Sequence, residues 1–156
     1  MMNERRRVLL KGAFLTGGTG LAMAIGLVAP KALLAAWPEK AFRSSDIVEA
    51  LNNLLGASEY LESDAVSLNV PAIAENGAVV PVTLTSNLPN IRTLSIVVPT
   101  NPAPLVASVS IGPNGVGFVS TRIKMESTGD VLGIVESDGQ LYMAREEVRV
   151  TVGGCG

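Results

Sequence analysis

From Val66 to Val152 the chain is divided into short β-rich stretches, and the residues between them leave few choices of fold. The stretches are Val66–Val70, Ala78–Thr85, Ile91–Val98, Leu105–Ile111, Val116–Met125, Val131–Ser137 and Leu141–Val152. Between them stand Glu75-Asn76-Gly77, Leu88-Pro89-Asn90, Asn101-Pro102-Ala103-Pro104, Pro113-Asn114-Gly115, Thr128-Gly129-Asp130 and Asp138-Gly139. Asn, Gly and Pro at these points favour reversal of the chain, and Asp-Gly between two apolar stretches is a strong two-residue hairpin signal. Strands this short at this spacing predict a mainly β fold, an immunoglobulin-like β-sandwich of about seven strands. Aromatic residues make up only 4% of a chain that is 47% hydrophobic, so Val, Leu, Ile and Ala must fill the core. One cysteine permits no internal disulfide, so packing alone holds the two sheets.

One amphipathic helix is expected ahead of the strands. Ile47, Leu51, Leu54 and Leu55 recur at helical spacing, Ser44 or Ser45 is placed to cap the start, and Gly56 is a natural stop. Phe42 joins this helix if Pro38 begins it. The stripe reads as packing on the helix's own domain ahead of a surface for a partner. In the last stretch, Leu141 and Met143 share a face with Val148, Val150 and Val152 only if the phase slips once, and Arg145-Glu146-Glu147 is the expected bulge.

Residues 1–36 read as a targeting segment. Arg5, Arg6, Arg7 and Lys11 precede an uncharged Gly-, Ala- and Leu-rich run, and a polar region follows Trp37-Pro38. Arg6-Arg7-Val8-Leu9-Leu10-Lys11 resembles a twin-arginine export motif, with Arg5 and Leu9 standing where Ser or Thr and Phe are usual. The expectation is a signal peptide ending near Ala36 and a periplasmic domain, 37–156, with no stable membrane association; a retained anchor is the alternative reading. Without residues 1–36, which carry five basic side chains and one acid, 7 basic and 13 acidic residues remain, a net charge of about −6. Such a balance speaks against nucleic acid, whose phosphates need a basic surface.

Chemistry is narrowed by what is missing. With no histidine in the sequence, the usual general base, the Ser-His and Cys-His nucleophile pairs and the commonest metal ligand are gone. No catalytic, metal or cofactor-binding residues are expected. What remains is the ending, Val148 to Gly156: an alternating strand, Gly153-Gly154, the single Cys155, and Gly156. Gly153, Gly154 and Gly156 give that thiol a pliable setting. The four residues after Val152 reach at most about 13–14 Å beyond the fold. Glu146-Glu147 and Glu62-Ser63-Asp64 read as solvated faces ahead of docking patches, and Arg149 is expected to face solvent.

This ending resembles that of the SoxY family, sulfur carriers of bacterial thiosulfate oxidation whose chains finish in Gly-Gly-Cys-Gly-Gly; here the written sequence stops one glycine earlier. Ala74-Glu75-Asn76-Gly77 leading to Val80-Pro81-Val82, Asn101-Pro102-Ala103-Pro104 and Thr121-Arg122-Ile123-Lys124-Met125 are similar to that family's internal segments. The resemblance implies a carrier and not an enzyme. Cys155 would hold sulfur as an S-thiosulfonate and then a persulfide, on a flexible arm, 153–156. A SoxZ-like subunit would form a heterodimer with it, and SoxAX, SoxB and, where present, SoxCD would dock transiently. The competing reading is an immunoglobulin-like binding module without sulfur chemistry. Ubiquitin-like sulfur carriers also end in Gly-Gly, but they stop there and lack an export leader.

The leader yields a direct test. Replacing Arg6 and Arg7 together by Lys is expected to leave precursor in the cytoplasm, followed by fractionation and immunoblotting; normal periplasmic yield would exclude the twin-arginine route.

Overall fold

The computed structural model describes residues 37–151. The leader, with Arg6 and Arg7, and residues 152–156, with Gly153, Gly154, Cys155 and Gly156, lie outside the described residues. The chain divides into two units, Met1–Trp37 and Pro38–Gly156, and the second carries the sandwich. It begins with two short helices, α1 (Glu39–Arg43) and α2 (Ile47–Leu55). Nine strands follow: β1 (Tyr60–Glu62), β2 (Val66–Asn69), β3 (Ile73–Ala74), β4 (Val80–Ser86), β5 (Ile91–Val97), β6 (Leu105–Ser110), β7 (Phe118–Ile123), β8 (Gly129–Ser137) and β9 (Gln140–Val150). All seven expected strands are present, and β1 and β3 are added to them.

The larger sheet runs β1-β9-β8-β5-β6, with β3 also pairing β9; the smaller runs β2-β4-β7. Both β1 and β3 lie parallel to β9, Tyr60 opposite Leu141 and Ala74 opposite Val150. The chain therefore leaves the larger sheet for β2 and returns to the same edge at β3. Asp138 and Gly139 take positive φ values of 49° and 79°. These are the angles a type I′ hairpin needs, and they join β8 to β9 with Ser137 opposite Gln140.

The two faces of the larger sheet serve two different cores. One core lies between the sheets and includes Leu68, Val80, Val82, Leu84, Leu94, Ile96, Val131, Val135 and Val148. The other lies beneath the helices, where Ala41, Ala50 and Leu51 meet Val97, Leu105, Leu132, Ile134, Leu141 and Met143. A strand buried on both faces reads as a continuous apolar run, and Val131-Leu132-Gly133-Ile134-Val135 is that run.

The same arrangement corrects the expected bulge at Arg145–Glu147. β9 pairs β8 in unbroken register from Gln140 to Val148. Leu141 and Met143 belong to the helix-side core and Val148 to the inter-sheet core. The apolar pattern changes phase because the covered face changes, and the backbone does not slip.

The helix cap also differs from expectation. Pro38 does begin a helix, but it is a separate one that ends at Ser44, whose N–H and hydroxyl both donate to Lys40 O at 3.1 and 2.8 Å. With Ser44 engaged there, Asp46 caps α2 by accepting from Glu49 N at 3.0 Å. Gly56 stops α2 as expected, at φ 71° with its N–H on Asn52 O at 3.0 Å. Every buried side-chain nitrogen and oxygen among the described residues has a hydrogen-bond partner.

Leu51 is fully buried beneath α2, as a helix packed on its own domain requires. Leu51→Ala should destabilise the domain by about 2–4 kcal/mol in urea unfolding; a change near zero would mean the helix pair is not integral to the fold.

Candidate functional site

The candidate site begins where β9 delivers the chain toward its cysteine. β9 is held on both edges up to its last residues. On one edge Arg149 N donates to Ala72 O and Thr151 N to Ala74 O, each at 3.0 Å. On the other, the Thr128 hydroxyl works in both directions: it accepts from Val150 N at 2.9 Å and donates to Val150 O at 3.4 Å. One side chain thus stands in for a strand neighbour at a position just ahead of the first residue of β8. The backbone is fixed in direction as far as Thr151.

Three loops close around this root. Asn76 Oδ1 accepts from Ala78 N at 2.9 Å, holding the Asn76-Gly77 turn. Gly77 O accepts from Met125 N at 2.7 Å. A Cβ at Gly77 would stand 2.4 Å from Met125 O and 2.8 Å from Val150 Cγ1, so only glycine lets the turn lie this close to the end of β9. Asn101 then bridges to the segment after β7, donating to Lys124 O at 2.7 Å and accepting from Glu126 N at 3.0 Å. Its amide imitates a backbone partner on the edge of this stretch opposite the Met125–Gly77 bond. A groove of about 480 Å³ opens between these pieces, walled by Asn76, Gly77, Lys124, Glu126, Val150 and Thr151. Lys124 and Glu126 pair across its rim at 2.9 Å.

The segments that carried the family resemblance are therefore neighbours in space. Ala74–Gly77, Asn101–Pro104 and Thr121–Met125 are far apart in the chain, yet they assemble the support of one strand end. In the sequence Asn76-Gly77, Asn101 and Thr128 are turn signals, the first two within segments that carry the family resemblance, and neither property places them beside Val150. Gly77 next to Asn76 was the available signal, but its role depends on Val150, which pattern alone does not bring near.

The other expected residues divide. Cys155 with Gly153, Gly154 and Gly156, and Arg6 with Arg7, lie outside the described residues. Arg149 is exposed, as alternation predicted. Glu62 accepts from Arg145 at 2.9 Å, and Arg145 also approaches Asp130 at 3.7 Å. This exposed pairing across β1 and β9 contributes little to stability. Glu146 and Glu147 are exposed and carry no ion pair among the described residues. No three His, Cys, Asp or Glu side chains among the described residues come together as a metal-ligand set.

Thr128→Val keeps the shape of the side chain and removes the hydroxyl. Losing its hydrogen bonds to Val150 should cost about 1–2 kcal/mol locally and raise the exchange rate of the Val150 amide about tenfold. An unchanged rate would show that the strand end is held without Thr128.

A family model described as sulfur oxidation protein SoxY matches residues 51–155. The solved structure of the sulfur carrier protein SoxY from Chlorobium limicola f thiosulfatophilum is similar, with 39% sequence identity and a TM-score of 0.60. That match covers 66% of this chain and 94% of that one. A superoxide reductase (neelaredoxin) from Ignicoccus hospitalis matches at 18% identity and a TM-score of 0.48, over 56% of this chain and 80% of its own, a likeness too slight to argue from. No curated protein matches. The family model spans well over half of the chain, takes in all nine strands and runs on to Cys155, and on that extent the chain belongs to the SoxY family of sulfur oxidation proteins.

Proposed function

We propose that this chain is a periplasmic covalent carrier of sulfur intermediates in the oxidation of thiosulfate to sulfate, with Cys155 as the point of attachment. The observation that supports this reading is the distance between two chain positions. The hydrogen-bonded backbone is anchored to Thr151, and the chain's single cysteine follows four residues later behind two glycines. A thiol so placed stands at most about 14 Å from a fixed point.

The chemistry needs a thiolate with access and little else from this protein. In the first step the sulfur of Cys155 joins the outer sulfur of thiosulfate, giving a cysteine S-thiosulfonate. One proton and two electrons leave, the electrons passing to the heme-containing partner SoxAX. Water then cleaves the bond to the sulfonate group in SoxB, releasing sulfate and a proton and leaving the persulfide on Cys155. SoxCD, where present, oxidises that sulfur further before a last hydrolysis restores the thiol. The partner enzymes supply acids, bases and metals, which fits a chain without histidine. A SoxZ-like subunit completes the carrier as a heterodimer.

Cys155→Ser is expected to leave the melting temperature and subunit assembly unchanged while abolishing thiosulfate-dependent electron transfer in a reconstituted system. The hydroxyl is close in size but forms no sulfur–sulfur bond. Intact mass spectrometry of the native protein should show adducts at Cys155 that a reducing agent removes. Retained turnover in the serine variant would sink the carrier reading and leave a binding module standing.

A further inference from the structure

The two sheets leave open edges on the same side of the molecule. Among the described residues β6 has only β5 beside it, and β7 has only β4. The two strands lie next to each other, so backbone donors and acceptors along both outer edges have no strand partner. Exposed apolar side chains accompany these edges: Val116 is 74% exposed, Phe118 54% and Val109 38%. Leu88, Ile91, Ile111 and Pro113 continue the apolar surface into the adjoining cavity of about 680 Å³, with Arg92 on its wall. β7 is paired to β4 in unbroken register from Phe118 to Ile123, so it presents a regular edge.

Charge sets this side apart. Between Glu75 and Glu126 the sequence has no acidic residue, and its only charged side chains are Arg92, Arg122 and Lys124. Lys124 is paired with Glu126, but Arg92 and Arg122 make no ion pair among the described residues. The one carboxylate at the cavity's rim, Asp138, accepts from Asn90 Nδ2 at 2.9 Å. The opposite edge also exposes apolar residues, Leu61 and Ile73. There, however, Glu59, Glu62, Asp64 and Glu75 crowd the same short stretch of chain.

We propose that the β6–β7 edge docks a second protein chain, which lays an edge strand along β7 and directs carboxylates to Arg92 and Arg122. Phe118 and Val116 are its apolar contacts. This rests on the reading that the carrier works as a heterodimer, and it names the surface for that partner. A second copy of this chain does not fit. A two-fold contact sets the same patch against itself, so arginine would meet arginine on a stretch without acids. The placement has a geometric consequence. β7 runs from the hairpin end of the sandwich toward Lys124, so a strand laid along it ends beside the groove at the root of the tail.

The test co-expresses the full chain with a SoxZ-type subunit and measures assembly by sedimentation and hydrogen exchange. Phe118→Asp and Arg122→Glu alter exposed side chains, and circular dichroism should show both variants folded. Each is expected to weaken assembly at least about thirtyfold. Leu61→Asp, on the opposite edge, is expected to leave it unchanged. In the wild-type complex the outward amides of Ser120 and Arg122 should exchange at least about tenfold more slowly than in the free chain. Full-strength assembly of both variants, with protection appearing at β1 and β3 instead, would overturn the placement and keep the heterodimer. Absence of any wild-type complex would defeat both. Self-association of this chain alone, abolished by Phe118→Asp, would overturn the assignment to a different chain.

Discussion

β9 is hydrogen-bonded on one edge to β8 along most of its length, and on the other first to β1 and then, near its end, to β3. β1 and β3 occupy the same edge of β9 and run in the same direction, yet the chain between them does not continue straight along that edge. It travels through β2, in the other sheet. This excursion stitches the two layers together on the side where β9 would otherwise be an open edge. With no disulfide available, that stitching and the two apolar faces of the larger sheet are what fix the layers. An exchange of register in β9 would disturb both cores at once, because a one-residue shift turns every side chain to the other face.

Most of the fold could be read from the sequence because its strands are long enough to show a pattern and its turns are chemically explicit. Asp138-Gly139 specified its hairpin outright. β1 and β3 were missed for a definite reason. Two or three residues carry no periodicity, and all of β1 is exposed, so only pairing with β9 makes them strands. The phase change in β9 was visible but misread, because one face was assumed to be covered along the whole strand. The helices cover one face near Leu141 and Met143, and the smaller sheet covers the other near Val148. Nothing local distinguishes that from a bulge. Asp46 was likewise next in line for a role given to its serine neighbours. Ser44 had been taken by the preceding helix, and that helix shows only once its end at Lys40–Ser44 is known.

At the candidate site the division is sharper. The family was legible, since the ending and three internal segments resemble SoxY and the family model matches residues 51–155. The support was not. Gly77, Asn101, Thr128 and Val150 are brought together by three separate loops, and each residue taken alone is an ordinary turn or strand residue. Their shared task is to carry hydrogen bonding past the first residue of β8. There β9 would otherwise lose its neighbour on one edge.

On the carrier reading, that support has a quantitative purpose. A thiol four residues past a fixed Thr151 has a reach of at most about 14 Å by chain length alone. Were the strand released back to Val148, three more residues would extend the reach to about 24 Å. The volume within reach would rise about fivefold, and the effective concentration of the thiol at any docked enzyme would fall by the same factor. Lengthening that segment therefore gains reach but dilutes the thiol. Holding β9 to Thr151 places Cys155 four residues past the last hydrogen-bonded position. The hydroxyl of Thr128 and the missing Cβ of Gly77 act beside that position. They set how far along β9 the hydrogen bonding extends.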